Sequence, residues 1–293
     1  NNFDFEKNFI HHLSSPLPYR RKKDQTVEDF CEELVKEFEQ KIEELGSENV
    51  AAFIAEPVLA SGGCIVPPDG YFKKIYDVCK KNEIIFIADE VVTGFGRLGH
   101  FFSSEEIFGV VPDIITCAKG ITSGYLPLGA VLFSNKLIAD LKNDSSLFFH
   151  GYTYSGHPAC CAAALKNIEI LKRDKILEHV KEIEPYFFKK LNSLYDLPIV
   201  GDIRGKGLMA GIECVINKDS KEALVLDQAI GSRIDEESIK LGLIIRPLYN
   251  ICVLSPALII NKEQINELTE KLYQAISNTI DQLKTEGLWS QTK

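Results

Sequence analysis

Residues 84–89, which read IIFIAD, give the strongest strand signal in the chain and constrain its fold more than any other segment. β-Branched and aromatic residues fill this run, and a continuous apolar strand is typical of a parallel sheet that is covered on both faces. Weaker strand-like runs occur at 50–55, 113–117 and 128–133. Because helical patterns separate several of these runs, the sequence predicts an α/β fold around a parallel sheet with crossover helices.

Helical periodicity marks the segments between and after these strands. Thr26 and Asp29 form an N-terminal capping pattern, and apolar residues then follow at helical spacing as far as Gly46. Further helices are expected at about 71–81 and from His157 to about residue 172.

The pattern changes near Arg173, which divides the chain into two predicted units. Residues 1–173 form the first unit, and residues 174–293 form a smaller α+β domain. The elements expected in this domain are helices at about 174–195 and 226–240, strands near 197–203, 207–215, 243–246 and 251–254, and a last helix from Glu263.

Composition narrows the classes of function. A net charge of −9 argues against nucleic-acid binding, and no apolar run is long enough to cross a bilayer. The eight cysteines form no C-x-x-C pair and no cluster with histidine, which argues against a metal site or a disulfide framework. Scattered thiols fit a reducing compartment, so we expect a cytoplasmic protein. Targeting to an organelle stays open as an alternative.

Two chemically distinctive residues follow predicted strands. Asp89 ends the strongest strand, and Lys119 lies just past the run at 113–117 with small and apolar neighbours. Ligands gather at the carboxyl ends of parallel strands, and a desolvated lysine is a nucleophile. Each residue alone has an ordinary interpretation, as a strand-end cap or a solvated amine. Together they fit an aldehyde cofactor that bonds to the lysine while the acid keeps a ring nitrogen protonated.

Five motifs resemble those of the class III aminotransferases, in order and over almost the whole chain. The segment at 89–99 (DEVVTGFGRLG) resembles the family signature, and that at 119–130 (KGITSGYLPLGA) resembles the segment of the cofactor-binding lysine. EPV at 56–58, PPDGY at 67–71 and YTYSGHP at 152–158 resemble three further family elements. The last hundred residues match more loosely.

This resemblance implies a pyridoxal-phosphate (PLP) enzyme of fold type I, the aspartate-aminotransferase-like fold. Residues 1–173 would form the C-terminal part of the PLP-binding large domain, and residues 174–293 the small C-terminal domain. The family also implies a homodimer with shared active sites. Neither a phosphate-binding glycine/serine-rich loop nor a ring-stacking aromatic is recognisable, so we expect the chain to begin inside the large domain and to be inactive when made alone.

The resemblance also implies roles for individual residues. Lys119 would bind PLP covalently and then shuttle a proton, and Asp89 would pair with the pyridine nitrogen. Val91 would pack against the ring, and Thr153 would bind the cofactor phosphate of the neighbouring subunit. Arg246 would grip the substrate carboxylate, because its planar fork matches two oxygens.

Two departures from the family pattern favour one branch. Ornithine and 4-aminobutyrate aminotransferases usually have glutamate where this chain has Ser61, and glutamine where it has Val92. Both differences resemble the ω-amino acid:pyruvate branch, in which Arg246 would engage pyruvate or alanine and swing aside for an apolar amine.

The sequence therefore predicts amino transfer from an amine or ω-amino acid to pyruvate or a similar keto acid. Two alternatives stay open. One is other PLP chemistry on the same scaffold, such as a mutase, racemase or decarboxylase, since a fold does not fix a reaction. The other is a catalytically silent fragment of such an enzyme.

Overall fold

The computed structural model describes residues 9–143, 148–221 and 227–290, and within those ranges the chain forms two sheets flanked by helices. The strands are β1 (Ala52–Ala55), β2 (Ile85–Asp89), β3 (Ile114–Cys117), β4 (Ala130–Phe133), β5 (Val200–Lys206), β6 (Met209–Cys214), β7 (Arg246–Leu248) and β8 (Ile251–Leu254). The α-helices are α1 (Val27–Leu45), α2 (Tyr71–Lys81), α3 (Ser103–Glu106), α4 (Asn135–Asn143), α5 (Pro158–Arg173), α6 (Ile176–Leu191), α7 (Asp227–Lys240) and α8 (Lys262–Thr285). In the described part of the chain, no helix is long and apolar enough to cross a membrane.

Strands β1 to β4 form the first sheet in that order, and β1, β2 and β3 are parallel. Ala55 pairs with Ala88, and Asp89 pairs with Thr116, so the three parallel strands end at one edge. Helices α1 and α2 pack on this sheet around the fully buried Phe86. The predicted α/β fold is confirmed. The carboxyl ends of the parallel strands lie beside Asp89 and Lys119, the two residues that the sequence analysis singled out.

The expectation of a parallel sheet is wrong for β4, which runs antiparallel to β3. A parallel partner requires a crossover, usually through a helix that lies on one face of the sheet. The connection at residues 118–129 contains only the short 3-10 helix Lys119–Thr122. The chain therefore reverses direction, and β4 returns alongside β3.

The second sheet has the order β5-β6-β8-β7 and is antiparallel throughout. Every residue of β6 is buried, and α6, α7 and α8 contribute to the same core. The strand expected at 243–246 begins later, at Arg246, because Leu243 N–H still caps α7 by bonding to Ser238 O. The helix expected at 174–195 ends at Leu191 and continues as the 3-10 helix Asn192–Asp196. The division at residues 173/174 stays a prediction.

Candidate functional site

Lys119 is separated from β3 by one residue, Ala118. Its backbone has a conformation that residues other than glycine rarely adopt. Its φ is +41°, and its side chain is exposed. A Cβ on the next residue, Gly120, would lie 3.0 Å from Phe95 Cβ and 3.1 Å from Gly94 O. The glycine therefore lets the lysine segment pack against the turn of the 89–99 motif. Left-handed backbone at a non-glycine residue is common at functional sites, where the surroundings enforce it.

Asp89 is the last residue of β2, one strand away from Lys119. Its half-buried carboxylate accepts a hydrogen bond from Val91 N–H through Oδ1 at 3.0 Å. In the described residues no hydrogen bond reaches Oδ2, which leaves one oxygen for a ligand. Val91 is half-buried and follows Asp89 closely in the chain. A fixed acid beside an apolar side chain suits a flat, protonated heterocycle.

Glu90 anchors the loop that follows Asp89. Its side chain is fully buried, and Oε2 accepts hydrogen bonds from Thr93 Oγ1 at 2.6 Å and Ser103 Oγ at 2.8 Å. Oε1 accepts a third bond from Ser104 N–H at 2.7 Å. A buried carboxylate is tolerated when its oxygens are satisfied in this way. In the sequence Glu90 is recognisable only as part of the 89–99 motif, because Ser103 and Ser104 are too distant along the chain to be identified as its partners.

Glu56 brings a second carboxylate to the same edge, because it directly follows β1. Oε2 accepts a hydrogen bond from Ala60 N–H at 3.1 Å. Burial raises the pKa of Glu56, the negative charge of Asp89 raises it further, and the ammonium of Lys119 opposes both effects. The three groups therefore share one electrostatic environment. The EPV motif at 56–58 marked this segment in the sequence, but the motif alone predicted no role for Glu56.

A cavity of about 470 Å³ opens between the second sheet and the loops that follow β1, β2 and β3, and residues of both line it. Lys119 and Arg246 both line it, so the structure brings together two of the five predicted site residues. Ser61 and Val92, the two branch-specific departures, line the same cavity. Its walls therefore carry a hydroxyl and an apolar side chain at those positions.

Arg246 and Thr153 differ in how they relate to this cavity. Arg246 begins β7 with an exposed side chain, and no hydrogen bond or ion pair from the described residues holds it. Thr153 is exposed in the turn before α5 and does not line the cavity. Tyr152 N–H donates to Ser155 Oγ at 3.0 Å within that turn. The exposure of Thr153 is compatible with contact to another subunit, and that role stays a prediction.

Arg97 is a further cavity residue to which sequence reasoning gave no role. It lies in the 89–99 motif, and its Nη1 donates to Leu208 O at 2.8 Å and Pro256 O at 2.6 Å. Burial lowers the pKa of Arg97 to about 10. The side chain thus joins the loop after β2 to the second sheet, at the point where the cavity forms.

Comparison with known families identifies the scaffold. The sequence profile of the family described as aminotransferase class-III matches residues 2–276. The chain belongs to the class III aminotransferases. These enzymes use PLP and have fold type I, so the family and the fold class expected from the motifs are confirmed.

Two curated aminotransferases illustrate the likeness. The chain is 42% identical to a putrescine–pyruvate aminotransferase of Pseudomonas aeruginosa, over 94% of this chain and 60% of the relative. It is 40% identical to gamma aminobutyrate transaminase 3, chloroplastic, of Solanum lycopersicum, over 99% of this chain and 56% of the relative. The chain therefore spans somewhat more than half the length of these class III relatives.

A solved class III structure supports the fold in detail. The ω-transaminase of Pseudomonas jessenii in complex with PMP superposes with a TM-score of 0.91 and 35% sequence identity. The match covers 97% of this chain and 63% of that one.

Proposed function

We propose that this chain carries the catalytic lysine and the keto-acid-binding arginine of a PLP-dependent aminotransferase. The enzyme moves an amino group from an amine or ω-amino acid to pyruvate or a similar keto acid. The observation that carries this proposal is the cavity shared by Lys119 and Arg246, with Asp89 at the end of the neighbouring strand. An amine nucleophile, Lys119, and a cation suited to bind a carboxylate, Arg246, thus line the same cavity.

The residues present fit PLP. Lys119 offers an exposed amine for the cofactor aldehyde, and Asp89 has an oxygen available for a protonated ring nitrogen. The half-buried Val91 supplies an apolar contact for a ring face. When bound, PLP supplies an electron sink for the carbanion that forms at the substrate.

The protein side of the reaction follows from these positions. Lys119 Nζ holds and moves the proton between substrate and cofactor positions, as a positioned general acid and base. Asp89 keeps a proton on the ring nitrogen, and the hydrogen bond from Val91 N–H fixes its carboxylate. Arg246 binds the keto-acid carboxylate with its fork of donors, and its freedom lets it move away for an apolar amine.

The wider assembly belongs to the same proposal. The chain supplies the C-terminal part of a large PLP domain in residues 1–173 and the small domain in residues 174–293. It acts as a cytoplasmic homodimer in which Thr153 reaches the cofactor phosphate of the other subunit. Its exposed position before α5 supports that contact.

A keto-acid screen tests the reaction. The protein is assayed with pyruvate and 2-oxoglutarate as acceptors against several amines. We expect a PLP absorbance band and faster amino transfer to pyruvate. Faster transfer to 2-oxoglutarate would overturn the branch assignment. Decarboxylation or racemisation without transfer would favour other PLP chemistry, and no PLP absorbance would favour a silent fragment.

A further inference from the structure

Two acids lie side by side where β1 and β2 end. In the parallel register of these strands, Ala55 pairs with Ala88. Glu56 and Asp89 each follow by one residue, and paired residues of neighbouring strands point to the same face of a sheet. Burial raises the pKa of Glu56, and the negative charge of Asp89 raises it further. The two carboxylates therefore lie within reach of each other's charge.

Each of these acids has one oxygen fixed by its own loop and one oxygen available. Glu56 Oε2 accepts a hydrogen bond from Ala60 N–H at 3.1 Å. Asp89 Oδ1 accepts one from Val91 N–H at 3.0 Å. In the part of the chain that the structure describes, no hydrogen bond reaches Glu56 Oε1 or Asp89 Oδ2. Glu90, the acid next to Asp89, differs because both of its oxygens already have partners.

The rest of the site carries the opposite charge. The charged residues that line the cavity are Arg97, Lys119 and Arg246, and no acid of the described residues lines it. Glu56 and Asp89 therefore form a negative end beside a positive cavity. A cation at this end is attracted by two charges instead of one, and such attraction is stronger in partly buried surroundings than in water.

We infer that Glu56 is a positioning residue for the cofactor: its negative charge supports Asp89 in holding the protonated ring nitrogen at this edge. The inference rests on the proposed function, in which Asp89 receives that nitrogen. A ring bound in the opposite orientation would leave the two acids without a cation. Glu56 thus helps to set the orientation of the ring and its protonated state, without contact to the reacting atoms.

A cofactor analogue without the ring nitrogen tests this role. In the probe, a C–H group replaces the ring nitrogen of PLP, while the aldehyde and the phosphate stay unchanged. The ratio of the two dissociation constants therefore isolates the contribution of the nitrogen. Calorimetric titration of the protein at about pH 8, above the ordinary range of carboxylic acids, gives both constants. We expect the wild type to bind PLP more tightly than the analogue.

Substitutions of Glu56 separate its charge from its hydrogen bond. Glu56→Gln removes the charge and keeps an oxygen that can accept from Ala60 N–H, and the preference for PLP should fall by about three- to tenfold. Glu56→Asp keeps the charge and should retain most of the preference. Glu39→Gln, at an exposed position in α1, removes the same charge elsewhere and should leave the ratio unchanged.

Two results from these variants would overturn the inference. One is an equal ratio in Glu56→Gln and the wild type. The other is an equal loss of preference in Glu56→Asp and Glu56→Gln, because these variants differ in charge. A folding defect weakens the binding of both ligands, so the ratio reports the charge of residue 56 and not the stability of the fold.

The Asp89→Asn background tests whether Glu56 acts through Asp89. Asp89→Asn should remove most of the preference for PLP, because an amide offers no charge to the nitrogen. Adding Glu56→Gln should then change the ratio little, since the effects of residues that act on one group are not additive. A loss as large as in the wild-type background would show that Glu56 contributes independently of Asp89, and it would overturn the positioning role.

The same ratios separate this inference from the proposed function. If the wild type prefers PLP and Asp89→Asn does not, while Glu56→Gln keeps the preference, the proposed function stands and the inference is wrong. If the wild type does not distinguish PLP from the analogue, the role of Asp89 in the proposed function is wrong, and so is the inference. Loss of the preference in both single variants would support both.

Discussion

The two sheets differ in where they place apolar and charged groups. Every residue of β6 in the second sheet is buried, and its core is continuous with α6, α7 and α8. The outer strands of the first sheet expose apolar side chains, such as Ile54 in β1 at 59% and Val131 in β4 at 52%. The lysine and both acids lie at the carboxyl edge of the first sheet, whereas the second sheet supplies a buried wall and Arg246. In the proposed function, covalent chemistry and ligand recognition thus come from different parts of the chain.

The largest effect on stability is expected for a substitution in the buried core between the second sheet and its helices. Phe187 in α6 is fully buried, so Phe187→Ala should lower the free energy of unfolding by about 3–5 kcal/mol. Phe149 is 89% exposed, and Phe149→Ala should change it by less than about 0.5 kcal/mol. Chemical denaturation measures both. Equal effects of the two substitutions would show that the core of the second sheet is packed no better than the exposed surface around Phe149.

Arg246 tests the recognition role of the second sheet. Arg246→Ala should raise the KM for pyruvate and alanine by about ten- to a hundredfold, corresponding to about 1.5–3 kcal/mol for a charged hydrogen bond. The KM for a carboxylate-free arylalkylamine should change much less, because no carboxylate is lost. Steady-state kinetics with both donors gives the ratio, and equal losses would point to a structural role for Arg246.

Glu90 tests how firmly the first sheet holds the loop that follows Asp89. Glu90→Gln places an amide among three hydrogen-bond donors and should lower the free energy of unfolding by about 1–3 kcal/mol. Glu105→Gln, at an exposed position in α3, is the matched control. If the two variants unfolded at the same denaturant concentration, the Glu90 network would contribute nothing to stability.

The smallest expected effect is a pH dependence at Glu56. Burial raises its folded-state pKa, so its stabilising contribution is present below the unfolded pKa and is lost as pH rises through the folded value. Glu56→Gln should therefore gain stability relative to wild type as pH rises above the ordinary glutamate range. Thermal melts from pH 4 to 8 measure the difference, with the exposed Glu39→Gln of α1 as control. A difference that does not vary with pH would contradict the burial of Glu56.

Local signals in the sequence located much of this architecture. Thr26 and Gly46 bound α1 as their capping chemistry predicts, and β2 ends at Asp89. The direction of β4 was not predictable from its residues, because it depends on the short connection after β3. In the site, Lys119 and Asp89 stood out as polar residues after strands. Arg97 and Glu90 did not, since their partners, such as Leu208 and Ser103, are distant in sequence.

The most direct test of the account is the identity of the lysine that binds PLP. The protein is incubated with PLP, reduced with borohydride and mapped by peptide mass spectrometry, beside Lys119→Ala. We expect a pyridoxyl group on the peptide that contains Lys119 in the wild type, and no specific label in the variant. A specific label on another lysine, or an unchanged label in Lys119→Ala, would contradict the central claim.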